Sequence, residues 1–360
     1  MLMPMLKPHK TIAGMAAKGP APLTVRKNNF DLLRLLLAFS VFYYHCHVLT
    51  GNSHLSLFSY LLNSERAIQG FFVISGFLIF MSYEKSGSMG EYYQKRVRRL
   101  YPAYFFTIIL FPIAFSLIST DNSLNYFTSV KLYKYLLSNL LFLNFLQPSL
   151  PGVFQNHLIS AVNGALWTLK IEVAFYIIVP FIVFLLRKYN KVLIFTTIYI
   201  LSSLYLYYFR NIFVSDVIAR QLPGQLSYFC LGGMAYYYFD YFNKYGRYLF
   251  FIALGGYIAN YFINLIYFLP IFIAIIVIYF ANCFYYLGNY GKYGDISYGV
   301  YIYHFPIIQL FIYFGLFESN PFLSLIITTI LLIILSLFSW HFIERKYLLR
   351  SSHYLHATAR

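Results

Sequence analysis

Residues 30–50 read FDLLRLLLAFSVFYYHCHVLT, and this stretch decides the fold. It is an apolar run of bilayer-spanning length, and a transmembrane helix needs about 20 such residues. Two charged residues, Asp31 and Arg34, stand at its start and two histidines, His45 and His47, near its end. Similar runs recur at 67–83, 100–119, 165–186, 192–209, 222–239, 247–266, 268–287, 296–316 and 321–343. The chain is 60% apolar, 22% aromatic and only 11% charged, where a soluble domain carries about 25% charged residues. Helices satisfy their own backbone in lipid, and the alternating segments of a membrane barrel are missing. The expected fold is an all-α polytopic membrane protein of about ten transmembrane helices.

An eleventh apolar piece, 132–147, is short. The net charge of +16 decides whether it crosses. Most of the 27 basic residues lie at 7–27, 85–99, 187–191, 244–247, 292 and 345–360. With ten spans and an inside N-terminus, all of these fall on the cytoplasmic side. A crossing at 132–147 would turn the later basic loops outward, against the positive-inside rule. The piece is therefore expected to be re-entrant or surface-lying in a long outer loop, 120–164, and both termini are expected to be cytoplasmic. The same charge pattern sets aside nucleic acid as a partner. Residues 1–27 read as a basic cytoplasmic tail, 28–346 as the transmembrane domain and 347–360 as a short tail. Cys46, Cys230 and Cys283 lie singly in apolar segments, so neither a disulfide framework nor a metal site is expected.

Ionisable groups within spans are functional candidates by default, because their burial in lipid is costly. Arg34 and His45 are eleven residues apart, close to three helical turns, so they share a face about 16 Å apart along the axis. An arginine at a helix end can also simply snorkel, but the shared face favours a site. His47 points elsewhere. In 165–186 the run Trp167-Thr168-Leu-Lys170-Ile-Glu172-Val-Ala-Phe-Tyr176 places Thr168, Glu172 and Tyr176 on one face. Glu172 lies roughly 10 Å deep from the outer side, near the depth of His45. A carboxylate there would fix the imidazole tautomer of His45 as general base. Arg96 and Arg99 share a face at the cytoplasmic mouth, where two guanidinium groups suit the phosphates of an anionic donor. The second span carries Ser75-Gly76, small residues that permit close helix packing. The ninth opens Asp295-Ile-Ser297-Tyr298-Gly-Val-Tyr301-Ile-Tyr-His304, with His304 near mid-membrane as either a channel-lining or a helix-bonding residue. Glu344 at the inner end of the last span would orient Arg34 or another basic group.

In this order the motifs resemble the acyltransferase family 3 membrane proteins, which O-acetylate bacterial surface polysaccharides and lipopolysaccharide. The matching elements are Phe30-Asp31-x-x-Arg34 ahead of His45, Phe71-Phe72-x-x-Ser75-Gly76-Phe77-Leu78, and Arg96-x-x-Arg99-x-x-Pro102. Trp167-Thr168-Leu169-x-x-Glu172-x-x-x-Tyr176, Ser297-Tyr298-x-x-Tyr301-x-x-His304-x-Pro306 and Phe342-Ile343-Glu344 follow. Each motif is weak alone; six in family order over 28–346 are specific. The resemblance implies a multi-pass protein of the bacterial cytoplasmic (inner) membrane, with acetyl-CoA as donor substrate and no bound cofactor. It implies a glycan or lipid-linked glycan acceptor, such as O-antigen, capsule or exopolysaccharide, on the far side. His45 matches the family's essential histidine, and Arg34, Arg96 and Arg99 its donor-handling basic residues. The chain looks like the stand-alone type without an SGNH-type esterase domain. Arg345-Lys346 stands where some relatives carry a proline. Direct transfer and a transient acetyl-His45 are both open. The competing expectation is a transporter or lipid-linked glycan flippase, which should show repeated halves or interrupted helices; neither is visible. A catalytically dead scaffold of the same fold would have no use for His45, Glu172 and the arginines.

Overall fold

A computed structural model of the protein describes residues 28–348; the tails expected at 1–27 and beyond 348 lie outside the described residues. The described chain is helical throughout, with no strand among the described residues. The main helices are α1 (Phe30–Thr50), α2 (Ser64–Glu84), α3 (Met89–Phe115), α4 (Val130–Leu140), α5 (Trp167–Lys188), α6 (Lys191–Tyr207), α7 (Leu222–Tyr237), α8 (Phe239–Ala259), α9 (Leu269–Asn282), α10 (Ser297–Tyr313) and α11 (Pro321–Ser339). Helices occupy all ten places read as spans. Six stretches, built on α1, α2, α3, α5, α6 and α11, are long and apolar enough to cross a membrane. The other four do not reach that standard alone. α7, α9 and α10 have 16, 14 and 17 residues, and α8 carries Asp240, Lys244 and Arg247 in its first turns.

The physical reason is clearest for α10, which is buried on nearly every side. A helix enclosed by other helices need not match the lipid thickness. The piece at 132–147 forms α4, an 11-residue helix, and a short 3-10 turn at Asn144–Leu146. Eleven residues rise about 16 Å, half the thickness of a hydrocarbon core.

Local chemistry sets the helix ends. Gly51 closes α1 in the left-handed region at φ 64°, donating its N–H to the His47 carbonyl. Asn63 caps α2 and Ser88 caps α3, each accepting from a backbone N–H in the first turn. Glu91 reaches back to the Gly87 N–H at 2.8 Å. The capped start of α3 holds the Arg96–Arg99 turn in a fixed phase.

The tightest helix contact is α2 against α7. A Cβ on Gly76 would overlap the Phe229 carbonyl oxygen, and one on Gly232 would overlap that of Val73. The two backbones therefore touch, the geometry that small residues permit in membranes. Beside this crossing Phe175 stacks on Phe229 with ring centroids 4.0 Å apart. Gly232→Val should lower stability by about 1–3 kcal/mol through overpacking, read as a lower thermal midpoint of the detergent-purified protein. Gly255→Val, at a position where a Cβ would meet no atom within 4 Å, should not share that loss.

Candidate active site

Four helices converge on one buried acid. Asp295 lies two residues ahead of α10, where its Oδ1 accepts from the Ser297 N–H at 3.2 Å and the Ser297 hydroxyl at 2.5 Å. Its other oxygen, Oδ2, accepts from Arg34 Nη1 of α1 at 2.6 Å and Arg99 Nη2 of α3 at 2.5 Å. Arg99 also donates through Nη1 to Glu344 Oε2 at 3.0 Å. Glu344 sits in a π-helical turn, Trp340–Glu344, that continues α11, and accepts from the Ser339 hydroxyl. The Arg99 guanidinium is further flanked by the rings of Tyr298 and Trp340, with centroids 5.6 and 5.7 Å away. Burial opposes ionisation of Asp295, but Arg34 and Arg99, with the Ser297 hydroxyl, hold its carboxyl well below the usual carboxylate range.

Arg34 and Arg99 also line an open cavity whose empty space, its mouth included, is ≈ 820 Å³. Ser75, Arg96, Thr168, Glu172, Tyr176, Ser297 and Tyr298 share its wall. The motif residues thus face one space, although they come from five helices. Arg96 donates to the Ser82 hydroxyl at 3.1 Å and lies 5.9 Å from the Tyr176 ring centroid. Its Nε is buried with no partner among the described residues. Arg34 and Arg99 are matched by carboxylates; Arg96 has no ion pair among the described residues.

The second centre lies further along the same two helices. His45 of α1 and His304 of α10 meet ring to ring, with His45 Nδ1 2.9 Å from His304 Nε2. His304 is fully buried and His45 half-buried. His304 Nδ1 lies 2.7 Å from the Tyr301 carbonyl. A carbonyl only accepts, so that nitrogen carries a hydrogen, and the Nε2 of a neutral ring is then an acceptor. An unpaired imidazolium at this depth is disfavoured. The hydrogen between the rings therefore belongs to His45 Nδ1. This leaves His45 Nε2 with its lone pair free, the state a general base or nucleophile requires.

This corrects the expected orientation of His45. Depth alone selects Glu172 as its partner; the structure supplies His304. Glu172 instead accepts from Tyr176 OH at 2.5 Å and faces the cavity. Depth along two helices can be counted from sequence, but the direction in which each side chain points depends on how the helices pack. Between the two centres stands Tyr301. It lines the cavity, bonds Thr168 at 2.7 Å and packs edge-on to the His304 ring at 5.9 Å. Neither histidine lines the cavity, whereas Tyr301 and Thr168 both do. Trp167 packs against the core at the start of α5, and Asp31 stands in the first turn of α1. The sequence motifs contain Asp295 and Tyr301 without assigning either a role. A signal for Asp295 is nonetheless present: inward arginines need an acid.

The segment 120–164, expected to be an outer loop, is stapled to α10. Gln309 donates to the carbonyls of Ile159 and Ala161 at 2.6 and 2.8 Å and accepts from His157 Nδ1 at 2.8 Å. Asn163 donates to the Ile302 carbonyl at 2.8 Å. The loop thereby packs along the helix that carries His304.

The model of the acyltransferase domain family matches residues 27–341. The chain belongs to this family. The O-acetyl transferase of Shigella phage Sf6 is 30% identical over 341 residues, covering 91% of this chain and 98% of the phage protein. Nodulation protein 10 of Rhizobium leguminosarum bv. viciae is 30% identical over 173 residues, 46% of each chain. No solved structure matches the chain. The protein is thus an acyltransferase, which displaces the transporter reading, and its polar clusters are to be read as parts of an acyl-transfer enzyme.

Removing the acid between two buried guanidinium groups leaves charge uncompensated. Asp295→Asn should destabilise this acyltransferase by about 3–5 kcal/mol, seen as loss of monodisperse protein on size exclusion and a lower thermal midpoint. With the folded carboxyl depressed, the stabilisation by Asp295 is complete above the ordinary carboxyl value and fades as pH falls through the folded one. The difference in thermal midpoint between wild type and Asp295→Asn should therefore stay flat between about pH 5 and 8.

Proposed function

We propose that this acyltransferase is an O-acetyltransferase of the bacterial cytoplasmic membrane. It takes acetyl from acetyl-CoA at the cytoplasmic side and passes it to a hydroxyl of a cell-envelope glycan, such as O-antigen, capsule or exopolysaccharide, outside. About ten spans cross, the segment 132–147 does not, and both termini are cytoplasmic. The observation that carries the reading is the His45–His304 contact, which leaves one imidazole nitrogen basic at the far end of α1 from the arginines.

Donor phosphates dock at the cytoplasmic mouth. Arg96 is the first contact because its charge is not matched by a carboxylate, and Arg34 and Arg99 set the field behind it. The thioester points along the cavity toward Tyr301 and Thr168, whose hydrogen bond must open for acetyl to reach His45. There His45 Nε2 removes the proton from a sugar hydroxyl. The alkoxide oxygen attacks the thioester carbonyl, and the tetrahedral intermediate collapses by breaking its carbon–sulfur bond. The departing thiolate takes the proton back from His45, giving the acetyl ester and free CoA. In the relay form His45 Nε2 attacks the thioester carbonyl and expels the CoA thiolate; the sugar hydroxyl then takes the acetyl, its C–N bond to His45 breaks, and the hydroxyl proton ends on the thiolate. In both forms His304 accepts from Nδ1 and fixes the tautomer, so it is a positioning residue. Glu172 acts on the donor side, holding Tyr176 beside Arg96.

His45→Ala should lower acetyl transfer by about 10²–10⁴-fold, measured as labelled acetyl moving from acetyl-CoA to surface polysaccharide, with the protein still inserted; near-normal transfer would overturn the assignment. His304→Phe should lower kcat while leaving the KM for acetyl-CoA near the wild-type value. Arg96→Ala should do the reverse, raising that KM about tenfold or more with a smaller change in kcat.

A further inference from the structure

A second cavity lies on an adjacent face of α2. Ile68, Phe71, Phe72 and Ser75 line the donor cavity, whereas Glu65 and Gln69 line this one. Its empty space, mouth included, is ≈ 550 Å³, and its remaining wall comes from the end of α6, the start of α7 and the loop between α8 and α9. It opens where α1 ends and α2 begins, at the His45 end of the bundle.

Its lining is polar where the surrounding helices are apolar. Glu65 Oε1 accepts from Arg210 Nη2 at 2.7 Å and from Gln69 Nε2 at 3.3 Å, and Arg210 also reaches Asp216 at 3.2 Å. Within the wall Arg210 and Glu65 pair with each other, while Arg220 reaches Glu65 Oε2 at 3.5 Å and Arg66 donates to Gln69 Oε1 at 2.8 Å from outside it. Asn211 donates to Tyr267 OH at 2.8 Å. Three polar side chains remain, Asn264, Gln225 and Tyr228. Gln225 and Tyr228 are each 4% exposed, and neither hydrogen-bonds any described residue. Their polar atoms are not sealed away without a partner, so they reach the cavity. Both border this cavity, so their hydrogen-bonding capacity is available to a guest.

The backbone around the cavity is irregular as well. Arg210 and Asn211 sit in a π-helical turn, Tyr208–Ile212, and Val214 adopts φ 51°, a left-handed conformation unfavourable for a β-branched residue. Such irregularities concentrate at functional sites. Here they place two polar side chains in the cavity wall where a regular α6 would have continued toward lipid.

An amide, a phenol, a paired arginine and carboxylate and a second tyrosine match a guest rich in hydroxyls, each able to donate and accept. We propose that this cavity binds an uncharged glycosyl unit of the acceptor glycan, with Gln225 and Tyr228 recognising its hydroxyl groups. The site holds a neighbouring sugar of the acceptor while another is acylated at His45. This rests on the reading of the acceptor as a glycan.

The test uses the full chain in lipid nanodiscs and saturation-transfer NMR with methyl glycosides of glucose, galactose, rhamnose and glucuronic acid. Saturation should reach at least one of the three neutral glycosides. Gln225→Leu and Tyr228→Phe should each weaken that binding about tenfold, the equivalent of one hydrogen bond. Their thermal midpoints should hold, since neither group hydrogen-bonds another part of the protein. If Gln225→Leu does not fold, Tyr228→Phe decides, because it deletes one oxygen and leaves the ring in place. No saturation of any neutral glycoside above empty nanodiscs, a stronger signal from the glucuronide, or signals that survive both substitutions would overturn the proposal. Glycan acetylation by a chain that fails this test would leave the glycan reading intact. Gln225-dependent sugar binding by a chain that acetylates no glycan would keep the site and remove that reading.

Discussion

Asp295 holds two arginines from two helices on one oxygen, and the bundle depends on it. Two buried guanidinium groups repel each other, and each is expensive to remove from water. One carboxylate between them, with Glu344 as a second acid on Arg99, makes the cluster near neutral. The acid stands just ahead of α10, its counter-charges on α1 and α3, and Glu344 in the continuation of α11. The cluster therefore fixes four elements at one end of the bundle. A general apolar core gives no such registration, because lipid tails and leucine side chains are equally apolar and sliding is weakly opposed.

The same registration determines the histidine pair. Arg34 and Asp295 meet near the starts of α1 and α10, and His45 and His304 meet eleven and nine residues further along. At 1.5 Å per residue these paths are about 16 and 14 Å, so two parallel helices joined by the ion pair bring their histidines to one level. The charge cluster and the basic nitrogen are thus two ends of one interface. It also separates the arginines by role. Arg34 and Arg99 are committed to carboxylates and shape the cavity, whereas Arg96 keeps a buried Nε without a partner among the described residues.

Much of this can be read from residue spacing. The places of the ten long helices and the shared face of Arg34 and His45 follow from hydropathy and helical phase, which are properties of single helices. What spacing does not reveal are properties of pairs. Equal depth assigns Glu172 to His45, but α5 turns Glu172 toward Tyr176 and the cavity lined by Arg34 and Arg99. His304, open between channel lining and helix bonding, is the residue that meets His45. Asp295 is missed because it lies outside the helix, where a span-by-span search for buried charge does not look. Helix length follows the same rule: α9 and α10 are shorter than a bilayer requires, and α10 is packed by protein on nearly every side. Hydropathy does not distinguish a helix facing lipid from one facing other helices.

α2 connects these observations. One face carries Ser75 and two phenylalanines toward the cavity lined by Arg34 and Arg99; another carries Glu65 and Gln69 toward the second. Further along that second face Gly76 brings its backbone against α7, whose first turns supply Gln225 and Tyr228. A larger residue at the crossing would push α7 away and open both cavities together. The glycines therefore do more than admit a close crossing. They set the spacing between two polar spaces on one rigid wall, and a site placed on packed helices keeps its geometry better than one built on loops. That shared wall holds the two cavities at a fixed spacing from each other, as rigid packed helices allow.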